Sequence, residues 1–453
     1  MGVTEDLARH IVETGYDGLP LEVVQTAKDV ILDGMGVMLA GSREEPPRIV
    51  AEYAQELGGA PRCTAFGFGF RTSPTLAAFI NGVSAHVLDY EPMWYPPTHA
   101  LSPTLPPILA LAEARGLSGR DVITALAVGF EAQGRLLLAA DASNQGWELS
   151  FHPPGVVGPL GAAAAAAKLL GLDVQRTRWA LGIAASRAGS LFANIGTMTK
   201  ASHCGNAGRL GLEAALLAAK GFTANEEVIE APSGWARAFY PQGLDAAAVR
   251  AFGRPWRMVE PGLAIKKYPS QYGTHRGIDA ALELRERHGV EPAAIARVVV
   301  TAPVMEYVNR PSPRTGLEGK FSFQYTVAAA LLDGKVTVHT FRDARLFSSD
   351  MKGLLPRVEL RMDPTIPSDL DGMWVEVEAT TAEGRSVRAR CERPRGIWDN
   401  PLTREERLEK FRQTAGMVLD PSRVARAAEV IQGLETAPNV TEFLSAMSSP
   451  GQS

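Results

Sequence analysis

Two stretches of very small residues constrain the fold of this chain most strongly. Gly161 is followed by six alanines, and residues 211–221 read Gly-Leu-Glu-Ala-Ala-Leu-Leu-Ala-Ala-Lys-Gly. Alanine has the highest helix propensity, and small side chains allow two helix axes to approach closely. Apolar residues also recur every three or four positions from Leu21 to Met35, before Gly41. Up to about residue 260 the sequence therefore predicts tightly packed helices.

The pattern changes from about residue 293. Four short β-branched or alternating runs are typical of half-buried strands: 296–302, 357–362, 374–379 and 386–391. Residues 382–385 have the composition of a hairpin turn, and helical stretches accompany the strands near 273–288 and 322–333. This mixture is typical of an α+β domain rather than of a βαβ array.

The predicted fold class is mainly α, with two domains of different character. We expect a large all-helical domain over residues 1–262 and a smaller α+β lid domain over residues 263–399. The sequence becomes helical again after Pro401, which predicts that residues 400–453 return to the first domain. Closure of the smaller domain would exclude water from a reaction.

Charge and composition exclude several classes of partner. There are 46 Lys+Arg against 50 Asp+Glu, a net charge of −4, and no basic run that could bind nucleic acid or an anionic membrane. Acidic residues near the N-terminus argue against an export signal, and the apolar stretch 161–172 is short of the roughly 20 residues of a membrane span. Three scattered cysteines, at 63, 204 and 391, form no disulfide or zinc pattern. A cytoplasmic protein is expected.

Three basic residues precede predicted helix starts. His152 comes before the helix that contains Gly161, Lys200 before the helix that contains Gly211, and Lys266 before a helix near residue 278. Unpaired backbone N–H groups and the helix dipole favour an anion at such positions. A basic residue near a helix start, taken alone, more often points into solvent. If the three loops converge, they form a cationic pocket for a small polycarboxylate.

The segment around Asp89 supplies a fourth candidate element. Its apolar pattern predicts a helix with Asp89 in the last turn, at the negative end of the dipole, so Asp89 requires a positive partner. His86 and Asp89 could join His99 as metal ligands, but the spacing lacks the HExxH pattern. No metal is therefore predicted.

Other motifs carry little chemistry. The sequence has no GxSxG elbow, no Walker motif and no complete dinucleotide fingerprint. Cys204, next to His203, is read as a small residue packed at a helix start rather than as a nucleophile. Tyr325 is either a core residue or a hydroxyl that faces a pocket.

Six sequence blocks carry a resemblance to a known family: NGVSAHVLDY, PPTHALSPTLP, FHPPGVVGPLGAAAAAAKLLGLD, TKASHCGNAGRLGLEAALLAAKGFTA, KKYPSQYGTH and FSFQYTVAAALLDG. In their order and spacing they resemble the MmgE/PrpD family over nearly the whole chain. The resemblance implies a helical domain with an α+β lid, a homodimer, no cofactor and a small di- or tricarboxylate as the substrate.

The resemblance also implies roles for individual residues. The implied catalytic residues are Asp89, His99, His152, Lys200 and Lys266. The implied substrate-binding residues are Met93, Lys267, His275 and Tyr325. Decarboxylase-like members carry a second acidic pair and a threonine after the aspartate, and the chain departs from this pattern, with Pro92 and Met93 at the later positions. Because methionine cannot donate a hydrogen bond to a carboxylate, the substrate within the family stays open.

The predicted function is that of a lyase that dehydrates or decarboxylates a small di- or tricarboxylate through a carbanion-like intermediate. Lys200 and Lys266 would clamp carboxylates and stabilise the developing charge, and His152 would be the main acid or base. Asp89 would orient a catalytic partner, and His99 would bind substrate or assist proton transfer. An epimerase or isomerase that uses the same pocket, and a non-catalytic homologue, are the alternatives.

Overall fold

A computed structural model of the chain describes residues 2–141 and 150–448. The described residues are mainly helical and divide into two compact units. The first unit consists of Met1–Val87, Glu91–Leu263 and Thr403–Ser453, and the second of Leu88–Tyr90 and Ala264–Leu402. Residues 88–90, predicted in the helical domain, thus belong to the second unit.

The first unit contains most of the helices. From the N-terminus these are α1 (Val3–Glu13), α2 (Leu21–Gly41), α3 (Glu45–Leu57), α4 (Pro74–His86), α5 (Leu101–Arg115), α6 (Gly119–Asp141), α7 (Pro153–Leu169), α8 (Val174–Ala185), α9 (Thr199–Ala219), α10 (Trp235–Phe239) and α11 (Ala246–Arg250). The C-terminal segment adds α17 (Arg404–Ala415), α18 (Pro421–Gln432) and α19 (Thr441–Met447).

Glycines set the spacing of the helices that carry the site. A Cβ added to Gly82 of α4 would lie 2.7 Å from the Cα of Gly205 in α9. A Cβ added to Gly211 of α9 would lie 2.4 Å from the carbonyl oxygen of Pro159 in α7. Backbones packed this closely leave no room for a side chain, so α4, α7 and α9 are held in fixed mutual positions. The small residues of these helices therefore have the packing role that the sequence predicted.

One buried and one partly buried ion pair join the C-terminal segment to α2. Lys410 of α17 contacts Asp33 at 2.7 Å, and Lys28 contacts Glu435 at 2.9 Å. Asp33 and Lys410 are both buried. Such pairs resist separation, because loss of one partner leaves a buried charge uncompensated.

The first unit is not all-helical, contrary to the prediction. A two-stranded antiparallel sheet joins β1 (Cys63–Ala65) to β2 (Phe70–Thr72). Each strand has three residues, too few for an alternating pattern to show in the sequence.

Helix α6 meets the criteria for a membrane span by length and composition. Among the described residues it is the one helix that does so, over Gly119–Ala140, and 94% of its most apolar window is buried inside the protein. A core helix passes the same test.

The second unit combines helices with a four-stranded sheet. Its helices are α12 (Thr274–Glu286), α13 (Gly316–Gly319), α14 (Phe323–Asp333), α15 (Asp343–Leu346) and α16 (Ser349–Leu354). Its strands are β3 (Ile295–Ala302), β4 (Val358–Met362), β5 (Val375–Thr381) and β6 (Ser386–Cys391), in the order β4-β3-β5-β6.

The strands of this sheet lie where the sequence predicted them. β3 pairs in parallel with β4 and antiparallel with β5, and the predicted turn at 382–385 joins β5 to its antiparallel partner β6. Buried residues alternate along β5, as expected for a sheet with one covered face. This region thus combines helices with one four-stranded sheet, and its role as a lid stays a prediction.

Candidate active site

The first unit brings six polar side chains together in what we call the histidine cluster. Its members are His86, Glu91, His99, His152, Lys200 and His203. His99 is partly buried and the other five are buried. The His86 ring centroid lies 4.7 Å from that of His99 and 5.6 Å from that of His152. Buried polar groups in such number are costly unless they bond to each other, which is typical of a functional site.

His86 is fixed by the end of α4. The helix begins after Ser73, whose hydroxyl accepts a hydrogen bond from the Leu76 amide, and ends at His86 itself. The chain then turns, so that Glu91 faces back toward the helix and its Oε1 contacts His86 Nδ1. The same oxygen accepts a hydrogen bond of 2.9 Å from Ser102 Oγ and lies 3.2 Å from His99 Nδ1. Glu91 thus gathers both imidazoles around one carboxylate.

His152 is the N-cap residue of α7, as the sequence predicted. Its backbone N–H donates to the carbonyl of Ser190 at 2.9 Å, and Phe151 forms an isolated β-bridge with Leu191. Backbone pairing of residues 151–152 with residues 190–191, in the loop before α9, therefore holds His152 in place. The His152 ring contacts the cluster through its Nδ1, which lies 3.2 Å from His203 Nδ1.

Lys200 lies inside α9 rather than before it, which corrects the predicted helix start. The helix begins at Thr199, so Lys200 is in the first turn. His203 is three residues further on and shares the same face of the helix. The Lys200 ammonium lies 2.9 Å from His86 Nε2. A cation at the positive end of a helix dipole is disfavoured by about 0.3–1 kcal/mol, an arrangement that a bound anion would relieve.

The electrostatics of the cluster keep three of its imidazoles neutral. Burial first, and the nearby Lys200 second, lower the pKa of His86 to about 3 and that of His203 to about 4. The same two causes lower the pKa of His152 well below its usual value. Burial acts to raise the pKa of Glu91, but contacts with His86 and His99 hold it well below its usual range. Glu91 is therefore ionised, beside neutral imidazoles that can accept protons.

The second unit holds the other predicted lysine. Lys266 Nζ donates to the Asp89 carboxylate, to the Asp89 carbonyl at 2.9 Å and to the Ser270 carbonyl at 3.1 Å. Lys266 and Asp89 are both buried. The prediction that Asp89 requires a positive partner is thus confirmed.

The predicted position of Asp89 in the last helical turn is wrong. Helix α4 ends three residues earlier, and Asp89 adopts a left-handed conformation with φ = 50°. Aspartate and asparagine tolerate this region better than most residues. The turn itself, rather than the helix dipole, sets the direction of the carboxylate.

The residues predicted to bind substrate lie in varied surroundings. Met93 is buried in the first unit, and Lys267 is exposed, with its ammonium 5.4 Å above the Tyr268 ring. His275 is buried against the rings of Tyr268 and Tyr272.

The surroundings of Tyr325 favour the core alternative. Its ring is buried against Phe341, and its hydroxyl donates to the Thr340 carbonyl. All four substrate-binding assignments stay predictions.

A metal site is the other arrangement that the cluster could support. Within residues 2–141 and 150–448, His86, Glu91 and His99 place three potential ligand atoms within 4.8 Å of one another. However, His86 already contacts Glu91 through one ring nitrogen and Lys200 through the other. A divalent cation would have to displace a shared proton beside an ammonium group, so the residues fit a hydrogen-bonded cluster better than a metal centre.

Sequence reasoning missed three members of the cluster. Glu91 and His203 were given no role, and His86 was considered only as a metal ligand. The available signals were the i, i+3 spacing of Lys200 and His203 on one helix and the acidic residue five positions after His86. Neither signal is specific without the turn that brings Glu91 back to the helix.

The fold and the cluster together define a class of protein: a mainly helical protein with a second, α+β unit and a largely buried cluster of one ammonium, one carboxylate and four imidazoles. Family models match most of the chain. The MmgE/PrpD N-terminal domain matches residues 5–245, and the MmgE/PrpD C-terminal domain matches residues 268–436.

Individual relatives match over nearly their whole length. Cis-aconitate decarboxylase of Homo sapiens is 35% identical, with 99% of this chain and 95% of the relative covered. The Mus musculus enzyme of the same name is 36% identical, with 96% and 91% covered, and that of Aspergillus terreus is 26% identical, with 100% and 97% covered. The chain belongs to the MmgE/PrpD family. The prediction of an enzyme of the lyase type is confirmed by these relatives.

Proposed function

We propose that this chain is a cofactor-independent decarboxylase of a small unsaturated tricarboxylate, with cis-aconitate as the first candidate. The observation that carries the proposal is the buried ammonium of Lys200 in the first turn of α9, surrounded by neutral imidazoles. The full-length similarity to cis-aconitate decarboxylases of three organisms supports the choice of substrate.

The reaction needs a cation where negative charge develops. When the C–C bond to one carboxylate breaks, CO₂ leaves and the electron pair stays on the carbon skeleton, delocalised toward a remaining carboxylate. A preorganised ammonium in a site that excludes water lowers this barrier, because it stabilises charge that grows in the transition state. We assign this role to Lys200, whose place at a helix N-terminus adds backbone N–H groups and the positive end of the dipole.

A proton must then reach the carbanion to give the five-carbon dicarboxylate product. This proton comes from water, and His152 and His99 are the candidates to relay it, because their rings are part of the cluster, with centroids 6.2 Å apart. A neutral imidazole takes up a proton on one ring nitrogen as it releases one from the other, so the ring is unchanged at the end of the transfer. Lys266 would hold a substrate carboxylate, and Asp89 would orient it through their ion pair. These roles in the second unit rest on the family motif.

The test is a proton NMR screen in D₂O with citrate, 2-methylcitrate, cis-aconitate, isocitrate and imino-dicarboxylates. We expect consumption of cis-aconitate, release of one CO₂ per turnover and incorporation of one deuterium into the product. Consumption of another acid, or release of water in place of CO₂, would contradict the proposal.

An isomerase or epimerase is a second candidate, favoured by two observations. Two imidazoles of the cluster lie close enough to serve opposite faces of one carbon. In addition, Pro92 and Met93 replace residues of the decarboxylase-like pattern. This reading predicts deuterium exchange into a dicarboxylate without loss of CO₂ or water in the same screen.

We also propose a homodimer, supported by the family resemblance, and a cytoplasmic location, supported by the three scattered cysteines that form no disulfide pattern. Light scattering coupled to size-exclusion chromatography tests the dimer, for which we expect about twice the 48.5 kDa chain mass. A monomer at micromolar concentration would contradict it.

A further inference from the structure

His86 lies between a carboxylate and an ammonium group, and the proposed mechanism gives it no role. Its Nδ1 contacts Glu91 Oε1, and its Nε2 lies 2.9 Å from Lys200 Nζ. A neutral imidazole has one donor and one acceptor, a carboxylate only accepts, and an ammonium only donates. The two contacts therefore select a single tautomer, with the proton on Nδ1 and the lone pair of Nε2 directed at Lys200.

Glu91 is built to hold this tautomer. The residue is fully buried, and its Oε1 also accepts from Ser102 Oγ. Within the part of the chain that the structure describes, Oε2 has no hydrogen-bond partner. A buried carboxylate with few hydrogen-bond donors accepts strong hydrogen bonds from the donors that are present. The hydrogen bond from His86 Nδ1–H to Glu91 is therefore expected to be strong.

The imidazole also separates the two charges. A carboxylate in direct contact with Lys200 would offset its charge and take up one of its three donors. With His86 between them, the ammonium is aimed by a neutral acceptor, while the carboxylate acts on it only through the ring. This is the arrangement expected for a cation that must bind an anionic substrate.

We propose that Glu91 and His86 form a positioning couple for Lys200, in which Glu91 fixes the His86 tautomer and His86 aims the Lys200 ammonium at a substrate carboxylate. Neither residue is assigned to the chemical step. The inference rests on the proposed function only for its kinetic test, because the tautomer of His86 is a property of the free protein.

The kinetic test is a double-mutant cycle between His86→Leu and Lys200→Met. If His86 acts through Lys200, His86→Leu lowers kcat/KM about 100-fold in the wild-type background and less than about threefold in the Lys200→Met background. Equal losses in both backgrounds would overturn the couple, since they would mean that His86 acts independently of Lys200.

A conservative variant separates positioning from a merely structural role. The amide of His86→Gln can donate to Glu91 and accept from Lys200, so we expect it to recover kcat/KM to within about tenfold of the wild type. A His86→Gln variant as impaired as His86→Leu would contradict the proposal. The matched control is His10→Gln on α1, where the imidazole stacks on Phe252; we expect a change in kcat/KM of less than about twofold.

Nitrogen-15 NMR of labelled histidine tests the tautomer without turnover. The His86 signals, assigned by their absence in His86→Gln, should show a protonated Nδ1 and an unprotonated Nε2 at pH 7.5. An imidazolium or the Nε2–H tautomer would overturn the inference, even if His86→Leu fails to fold. If the wild type turns over no acid in the panel, the proposed function fails, and the spectrum still decides this inference.

Discussion

The two buried lysines of the predicted site differ in the partner that each ammonium contacts. In the second unit, Lys266 contacts the Asp89 carboxylate directly and donates to two backbone carbonyls as well. In the first unit, Lys200 contacts the imidazole of His86, which stands between it and Glu91. A direct buried ion pair mainly fixes structure, because either charge alone is very costly. A cation whose partner is a neutral ring is less neutralised, so it attracts an anionic ligand more strongly.

The largest effect expected from this difference is on turnover. Lys200→Met keeps the length of the side chain and removes the charge, so we expect kcat/KM to fall by about 10³-fold, or about 4 kcal/mol of transition-state stabilisation. Stability should change little, because a helix N-terminus is relieved of a cation. Steady-state kinetics and urea unfolding measure the two quantities.

The control for this variant is Lys220→Met at the exposed C-terminal end of the same helix. We expect it to retain full turnover. A Lys200→Met variant that unfolds readily but turns over normally would reverse the roles of the two lysines.

The next largest effect should be on the stability of the second unit. Lys266→Met leaves the Asp89 carboxylate buried without its ammonium, which should lower the free energy of unfolding by about 3 kcal/mol. Adding Asp89→Asn should restore much of that loss, because asparagine tolerates the left-handed backbone and carries no charge. Urea unfolding of both single variants and the double variant measures this coupling.

Lys267→Met serves as the matched stability control, since the neighbouring side chain is exposed. It should stay within about 0.5 kcal/mol of the wild type. Additive losses for Asp89→Asn and Lys266→Met would show that their ion pair does not stabilise the unit.

A smaller effect should follow from moving the helices that carry the histidine cluster. A Cβ added at Gly205 would lie 2.7 Å from the carbonyl oxygen of Phe79, so Gly205→Ala must push α9 away from α4. We expect a loss of about 1–3 kcal/mol in stability, together with reduced turnover because His86 and Lys200 separate. Thermal unfolding and kinetics of the same preparation test this.

Gly353→Ala in α16 is the matched control, because nothing lies within 4 Å of an added Cβ there. Alanine should be neutral or slightly stabilising at this helical position. A neutral Gly205→Ala would show that close packing of α4 on α9 does not set the geometry of the cluster.

The sequence predicted regular elements well where one local pattern dominated. Strand β6 and the end of α2 at Gly41 lie where alternation and a helix stop predicted them. The start of α9 was missed because residues 199–208 include Thr, Ser, His, Cys, Asn and two Gly, all poor helix formers. Packing of Gly205 against α4 stabilises this turn of helix, and such tertiary contacts cannot be read from local propensity.

The candidate site was predictable to a similar extent. His152 and Lys200 were found because a basic residue near a helix start has a stated electrostatic meaning. Glu91 was missed because its role depends on a turn that brings it back to His86, five residues earlier. Side chains that are brought together by tertiary packing in this way cannot be recognised from a local sequence motif.

The smallest predicted effect concerns pH and distinguishes the cluster from an ordinary set of surface histidines. The folded pKa of His203 is about 4, below the unfolded value of about 6.5, mainly through burial. The neutral ring therefore contributes stability fully above pH 6.5, and this contribution is lost as the pH falls toward 4. After allowance for solvent screening, we expect His203→Asn to remove about 1 kcal/mol of the decrease in unfolding free energy between pH 7 and pH 5.

Urea unfolding at several pH values measures the decrease, with His288→Asn in the second unit as the control. An identical pH dependence for wild type and His203→Asn would show that His203 is as readily protonated in the folded protein as in the unfolded chain, contrary to a neutral cluster.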